Sequence, residues 1–235
     1  MQKIAREMNL SETTFVFPPN KAGCDFKVRI FTPGKEIPFG GHPTIGTADV
    51  LKHAGIVPSS AGSVVFEMGV GDVPVAWDNG IPFMEQPLPQ FDMPVKRLAA
   101  LEAVLGGSSG ALSKNLPVQV VSTGFPALLV PLSGLDVIKS LNLDQVLLRE
   151  VLGPVDMLYA FCLETESDEV QVHGRGFAPF IGIPEDPATG SVSGAVGAYL
   201  LEHSVLGSDD SLAIQIEQGL EMGRPSRIKV EAEKK

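Results

Sequence analysis

Apolar positions along the chain fall alternately into helical and strand periods, and the alternation runs through twice. Met1, Ile4, Ala5 and Met8 share one helical face, which predicts a short helix over 1–8, and SETTFVFPP then turns β-branched and aromatic as a strand does. Phe26, Val28 and Ile30 alternate with Lys27 and Arg29, the pattern of a half-buried strand that stops at Pro33-Gly34. After the loop PGKEIPFGGHP, the small residues over 44–54 predict a helix ended by Gly55. SVVFEM and VPVAW predict two strands, and Asn79-Gly80 a tight hairpin into IPFMEQ. Pro82, Pro87, Pro89 and Pro94 make PLPQFDMP a crossover, so the expected halves are 1–88 and 89–235, with the final strand free to return to the first half.

The second half repeats the order. A helix over 95–105 and a flexible GGSSG lead to strands over 118–122 and 128–130, a helix over 142–151, and strands at MLYAFCLET and EVQVHGRG. The loop FAPFIGIPEDPATG precedes a small-residue helix over 191–201, and LAIQIEQ and SRIKVEAE close the chain as strands. Laying the chain on itself so that Val28 meets Val172 also matches Ile37 with Ile181, Pro43 with Pro187 and Gly46 with Gly190, without a gap. In that alignment His42 falls on Asp186 and Thr47 on Ser191. Each half thus places a polar residue and a proline at the mouth of an apolar, glycine-containing helix.

Composition narrows what such a chain can do. With 235 residues, 44% hydrophobic and 20% charged, it can bury a substantial core and is not a disordered chain. No stretch reaches the ~20 apolar residues of a membrane helix, and the N-terminus has no apolar signal region, so a cytoplasmic protein is expected. A net charge of −10 argues against nucleic acid and anionic membranes as partners and leaves a small molecule. Cys24 and Cys162 stand in strand-like segments without metal-ligand or CxxC spacing and are read as buried free thiols; no metal is expected.

Helices as rich in small residues as TIGTADVL and GSVSGAVGAYL can be surrounded closely by a curved sheet. The expected fold is therefore α+β, two pseudo-symmetric halves, each a mostly antiparallel half-barrel wrapped round a central helix. Were the two helix N-termini to share one cleft, their unpaired N–H groups and dipoles would bind an anion that the acidic chain otherwise repels. Gly40, Gly41 and Gly190 let a ligand approach the backbone, or merely serve turns. His42 and Asp186 offer an acid/base pair without a metal; the alternative makes Asp186 a helix N-cap and His42 a loop residue. His53, His173 and His203 read as surface or packing residues.

At SETTFV, GGHPTIG and EDPATGS the sequence resembles the PhzF-like family, named for the phenazine-biosynthesis isomerase and similar in fold to diaminopimelate epimerase. The resemblance runs over essentially the whole chain. It implies that Glu12 is the general acid/base, that His42, Asp186 and Ser191 complete the polar site, and that Gly41, Gly190 and the Ser191 backbone hold a substrate carboxylate. It implies a homodimer and an isomerase that moves a proton on a small anionic substrate without a cofactor, as in dihydro-hydroxyanthranilate chemistry. Related epimerases carry a thiol at each helix mouth, where this chain has His42 and Asp186, so a two-thiol racemase is not expected. Family members also carry further residues ahead of the MQKIAREMN-like helix, so the resemblance implies an incomplete first half. A second reading is a catalytically weak or inactive member that binds a small anion or a protein partner.

Overall fold

A computed structural model describes residues 1–96, 98–107, 110–206 and 210–234. The chain divides into two compact units, Met1–Leu88 and Pro89–Lys235. In the first, α1 (Gln2–Met8) leads into β1 (Thr13–Phe17), β2 (Phe26–Phe31) and β3 (Glu36–Ile37); α2 (Gly41–His53), β4 (Ser63–Met68), β5 (Gly71–Asp78) and β6 (Ile81–Met84) follow. The strand order is β1-β2-β4-β5-β6, with β3 on β2. β1 and β6 are opposite ends of this order, yet both pack against α2, so the sheet curls round that helix. The β5–β6 turn is the expected hairpin: Asp78 faces Ile81, and Asn79 and Gly80 both take positive φ.

The second unit comprises β7 (Gln90–Phe91), α3 (Leu98–Val104), β8 (Gln119–Ser122), β9 (Pro126–Pro131), α4 (Leu135–Lys139), α5 (Gln145–Leu152), β10 (Leu158–Cys162) and β11 (Val172–Ala178). After a 3-10 turn, Pro179–Ile181, come β12 (Ile183–Asp186), α6 (Gly190–Glu202), β13 (Ser211–Gln218) and β14 (Ser226–Glu233). The order is β14-β13-β11-β10-β9-β8-β7, with β12 on β11, and α6 touches β14 and β13 as well as β9 and β8. This sheet too wraps its helix. It is covered on its other face as well: Leu158, Ala160 and Cys162 of β10 point into a core with Leu101 and Val104 of α3 and Leu148 and Leu152 of α5. β10 is accordingly buried at every position, whereas β4 alternates.

The repeat is visible in the pairings. In each unit a central strand (β2, β11) has an antiparallel neighbour before it and a short antiparallel strand after it, then a parallel partner across the helix (β4, β13) that continues into a hairpin. The repeat is not gapless, however. α2 starts at Gly41 but α6 at Gly190, so the alignment of Gly46 with Gly190 matches the motifs and not the helix starts. Other expectations also need correction. The final strand β14 pairs with β13 along its whole length and stays in the second sheet. The helix expected over 142–151 begins at Gln145, because the Asp144 carboxylate caps it by accepting from Val146 N and Leu147 N at 2.9 and 3.0 Å. That expected over 95–105 is shorter, and part of GGSSG lies outside the described residues.

His173 is neither a surface nor an ordinary packing residue. It is fully buried on β11, with Nδ1 2.8 Å from Glu217 Oε1 and Nε2 2.9 Å from Glu221 Oε1. A neutral imidazole has one N–H and would present a lone pair to one of these carboxylates, so both contacts are favourable only for the imidazolium. Burial works against its charge, but the hydrogen bonds it donates to Glu221 and Glu217 outweigh that and the pKa is raised. For Glu221, burial is likewise outweighed, chiefly by His173, and its pKa is lowered. Arg175 extends the cluster with a two-pronged pair to Glu185 at 2.8 and 2.9 Å and donates to Ile138 O.

Two outcomes follow for stability. A raised histidine pKa contributes stability that is complete below the ordinary value of 6.5 and is lost as pH rises through the folded value. The Glu221 contribution is present above the ordinary 4.5 and is lost as pH falls through its lowered value. Urea denaturation should therefore show stability declining as pH rises above about 6.5, and His173→Gln should flatten that decline while costing about 3 kcal/mol near neutrality. At Gly197 of α6, an added Cβ would stand 2.5 Å from Val230 Cγ1 of β14. Gly197→Ala should destabilise by about 1 kcal/mol, and in a Val230→Ala background should become neutral or stabilising, as a double-mutant cycle would show.

Candidate active site

In the first unit, antiparallel pairing of Thr13 with Phe31 fixes where the chain enters β1, and Glu12 is the residue immediately before it. His42 is the second residue of α2, whose start is shaped by Gly40: extended backbone there, and an added Cβ would lie 2.8 Å from Pro43 Cγ. Strand entry and helix start bring the two side chains together, with His42 Nε2 2.9 Å from Glu12 Oε2. The Glu12 side chain is only 8% exposed while that of His42 is 38% exposed, so the carboxylate is sheltered and the imidazole reaches solvent. The contact is close but not aligned as an ordinary hydrogen bond, and Oε2 is otherwise without a donor among the described residues. This is a proton-transfer distance.

A groove of about 360 Å³ opens beside the pair, lined by Glu12, Thr14, Val16, His42, Pro43, Gly46, Thr47, Val50 and Leu51. Its walls beyond the pair are mostly apolar. Thr47 is committed to the fold: its hydroxyl donates to Pro43 O at 2.6 Å, so the Thr14 hydroxyl, 2.9 Å away, donates to it. Thr44 is tied likewise to Gly40 O. Neither hydroxyl caps α2, whose first turn has no side-chain cap, and Gly41 and His42 stand in that turn, where helix N–H groups attract anions.

The second unit holds Asp186 at the end of β12, 2% exposed. It is not the N-cap of α6; that position is Thr189, whose hydroxyl donates to Asp186 Oδ2 at 2.7 Å. The alternative of Asp186 as a capping residue is thereby closed. Gly190 and Ser191 are the first two residues of α6; Ser191 is buried, and its carbonyl accepts from Thr123 Oγ1 at 3.0 Å. Thr189 and its neighbours Gln218 and Tyr159 were not singled out by the sequence. The signal that could have found them is the pair of glycines in HGRGFA, spaced two apart in a strand that is otherwise buried and bulky.

Cys24 and Cys162 are free and buried, and neither stands at a helix start. Burial pushes the Cys162 thiol up to about 12, and burial also raises that of Cys24, so both are protonated thiols at neutral pH and poor nucleophiles. His203 sits at the end of α6, where burial lowers its pKa. No helix among the described residues is long and apolar enough to cross a membrane.

Known proteins resemble this chain in sequence and in fold. A family described as phenazine biosynthesis-like protein, PhzC-PhzF, matches residues 1–235. An uncharacterized isomerase of Mesorhizobium japonicum is 39% identical, the match covering 98% of this chain and 80% of that protein. The trans-2,3-dihydro-3-hydroxyanthranilate isomerase of Pseudomonas aeruginosa is 34% identical over 99% of this chain and 79% of its own length. The crystal structure of a PhzF-family phenazine biosynthesis protein from Bacillus anthracis superposes with a TM-score of 0.88 at 31% identity, covering 100% of this chain and 80% of that one. With its fold, its three motifs and the residues they carry all accounted for, the chain belongs to the PhzC-PhzF phenazine biosynthesis-like family of isomerases.

Proposed function

We propose that this isomerase moves a proton between carbon atoms of a small, carboxylate-bearing substrate without a cofactor, and that Glu12 is the group that carries the proton. The observation that supports this most directly is the sheltered Glu12 carboxylate with His42 Nε2 at 2.9 Å, open to a groove of substrate size. Glu12 takes a proton from an acidic C–H, the electron pair delocalises into the adjoining unsaturated system, and Glu12, whose carboxyl proton exchanges with water, delivers a proton to a different carbon. His42 holds the carboxylate in place and, when protonated, offsets the charge that develops as the C–H bond breaks. The helix-start N–H groups of Gly41 and His42, and those of Gly190 and Ser191, are the proposed donors to the substrate carboxylate. Asp186 completes the polar set by analogy with the family motif EDPATG. The apolar groove wall suits a ring rather than a chain of hydroxyls, and the Pseudomonas relative's substrate, trans-2,3-dihydro-3-hydroxyanthranilate, is the first to test.

Incubation with that compound in heavy water should introduce deuterium at carbon as it isomerises. Glu12→Gln keeps shape and hydrogen-bonding reach but removes the acid/base, and should slow exchange by about 10²–10⁴-fold while leaving the dissociation constant within about twofold. Exchange by Glu12→Gln at the parent's rate would show that another group moves the proton.

A further inference from the structure

Asp186 is held by a chain of buried groups in which the position of every proton follows from the chemistry of its partners. The Gln218 amide is fully buried and uses its whole capacity. Nε2 donates to Asp186 O at 2.6 Å and to Thr189 Oγ1 at 2.8 Å, and Oε1 accepts from Thr189 N and from the Tyr159 hydroxyl, both at 3.1 Å. Turning the amide over would set a carbonyl oxygen against Asp186 O and an NH₂ against the Thr189 N–H, so one orientation alone satisfies the site. Because the Thr189 hydroxyl accepts from Nε2, its single hydrogen goes to Asp186 Oδ2. Burial drives the Tyr159 phenol pKa up and keeps it the neutral donor that the chain requires.

Two further features of the fold are unfavourable unless this chain of bonds matters. Thr189 is the N-cap residue of α6, yet its side chain caps no N–H, a forgone stabilisation of about 1 kcal/mol. β11, buried throughout, carries glycine at 174 and 176, where glycine weakens a strand. A Cβ at Gly174 would lie 2.2 Å from the Tyr159 hydroxyl oxygen, and one at Gly176 2.7 Å from Thr189 Oγ1. Both glycines clear space for the hydroxyls of this one relay.

We propose that Thr189, oriented by Gln218 and Tyr159, is the positioning residue that fixes the Asp186 carboxylate for the isomerase reaction. Its catalytic consequence rests on the part assigned to Asp186 above; the relay itself does not. The test uses the full chain with Thr189→Val, which replaces the hydroxyl by a methyl, Thr189→Ser, which keeps it, and Thr189→Ala in case the added methyl prevents folding.

Two readings are taken: the aspartate carboxyl carbon-13 signal that disappears in Asp186→Asn, and deuterium exchange into trans-2,3-dihydro-3-hydroxyanthranilate. Thr189→Val or Thr189→Ala should move that signal and lower kcat by about tenfold to a hundredfold, the loss of one charge-assisted hydrogen bond, with KM within about twofold. Thr189→Ser should recover most of both. An unmoved signal overturns the relay, and a moved signal with parent-like kcat overturns its role in positioning. If the parent itself exchanges no deuterium, the proposed reaction fails, while the carbon-13 signal still decides whether Thr189 orients Asp186.

Discussion

Each unit depends on a sheet closing round one helix, and that closure is possible because the helix is made of small residues. α6 shows the constraint most sharply: Gly197 gives the Val230 side chain of β14 its room, and Val192, Ala195, Val196, Tyr199 and Leu200 are wholly buried. A helix so enclosed cannot carry its own polar face. Its chemistry is confined to its ends, and in both units the residues of interest collect at the N-terminal end, where the dipole is positive and N–H groups lack partners within the helix.

That confinement bears on the electrostatic question posed by a chain of net charge −10. On the proposed function, an anionic substrate would meet local backbone donors rather than a basic surface. The buried cations serve a different purpose. His173 and Arg175 stand among Glu217, Glu221 and Glu185 and tie β11 to the end of β13, the turn after it and β12. Gln218, adjacent to Glu217, then enters the Asp186 relay. The ionic clasp and the relay lie side by side on one strand end, and the buried charge anchors the segment from which Asp186 is positioned.

Much of the fold could be read in the sequence. SVVFEM and SRIKVEAE are strands over the whole of their lengths, Asn79-Gly80 is the hairpin turn, and the two small-residue helices are central, because these segments carry local signals: period, turn chemistry and side-chain size. The helix over Leu135–Lys139 was not foreseen, since five residues show too little of a helical period to detect. The capping of α5 by Asp144 shifted that helix's start by a single side-chain choice.

By itself the sequence determined the doubled order of strand, loop and small-residue helix, and the motifs that identify the family; it pointed to Glu12 only through those motifs, because a glutamate at a strand entrance has no period or spacing to distinguish it. Tertiary structure alone decided that Glu12 is sheltered and faces His42, that His173 is a buried cation, and that Thr189 serves Asp186 instead of capping α6. Those facts depend on residues tens of positions apart meeting at hydrogen-bond distance, as Tyr159 does with Gln218. Local patterns in a chain encode which face is apolar; they do not encode which polar atom will be left opposite another once the sheets have closed.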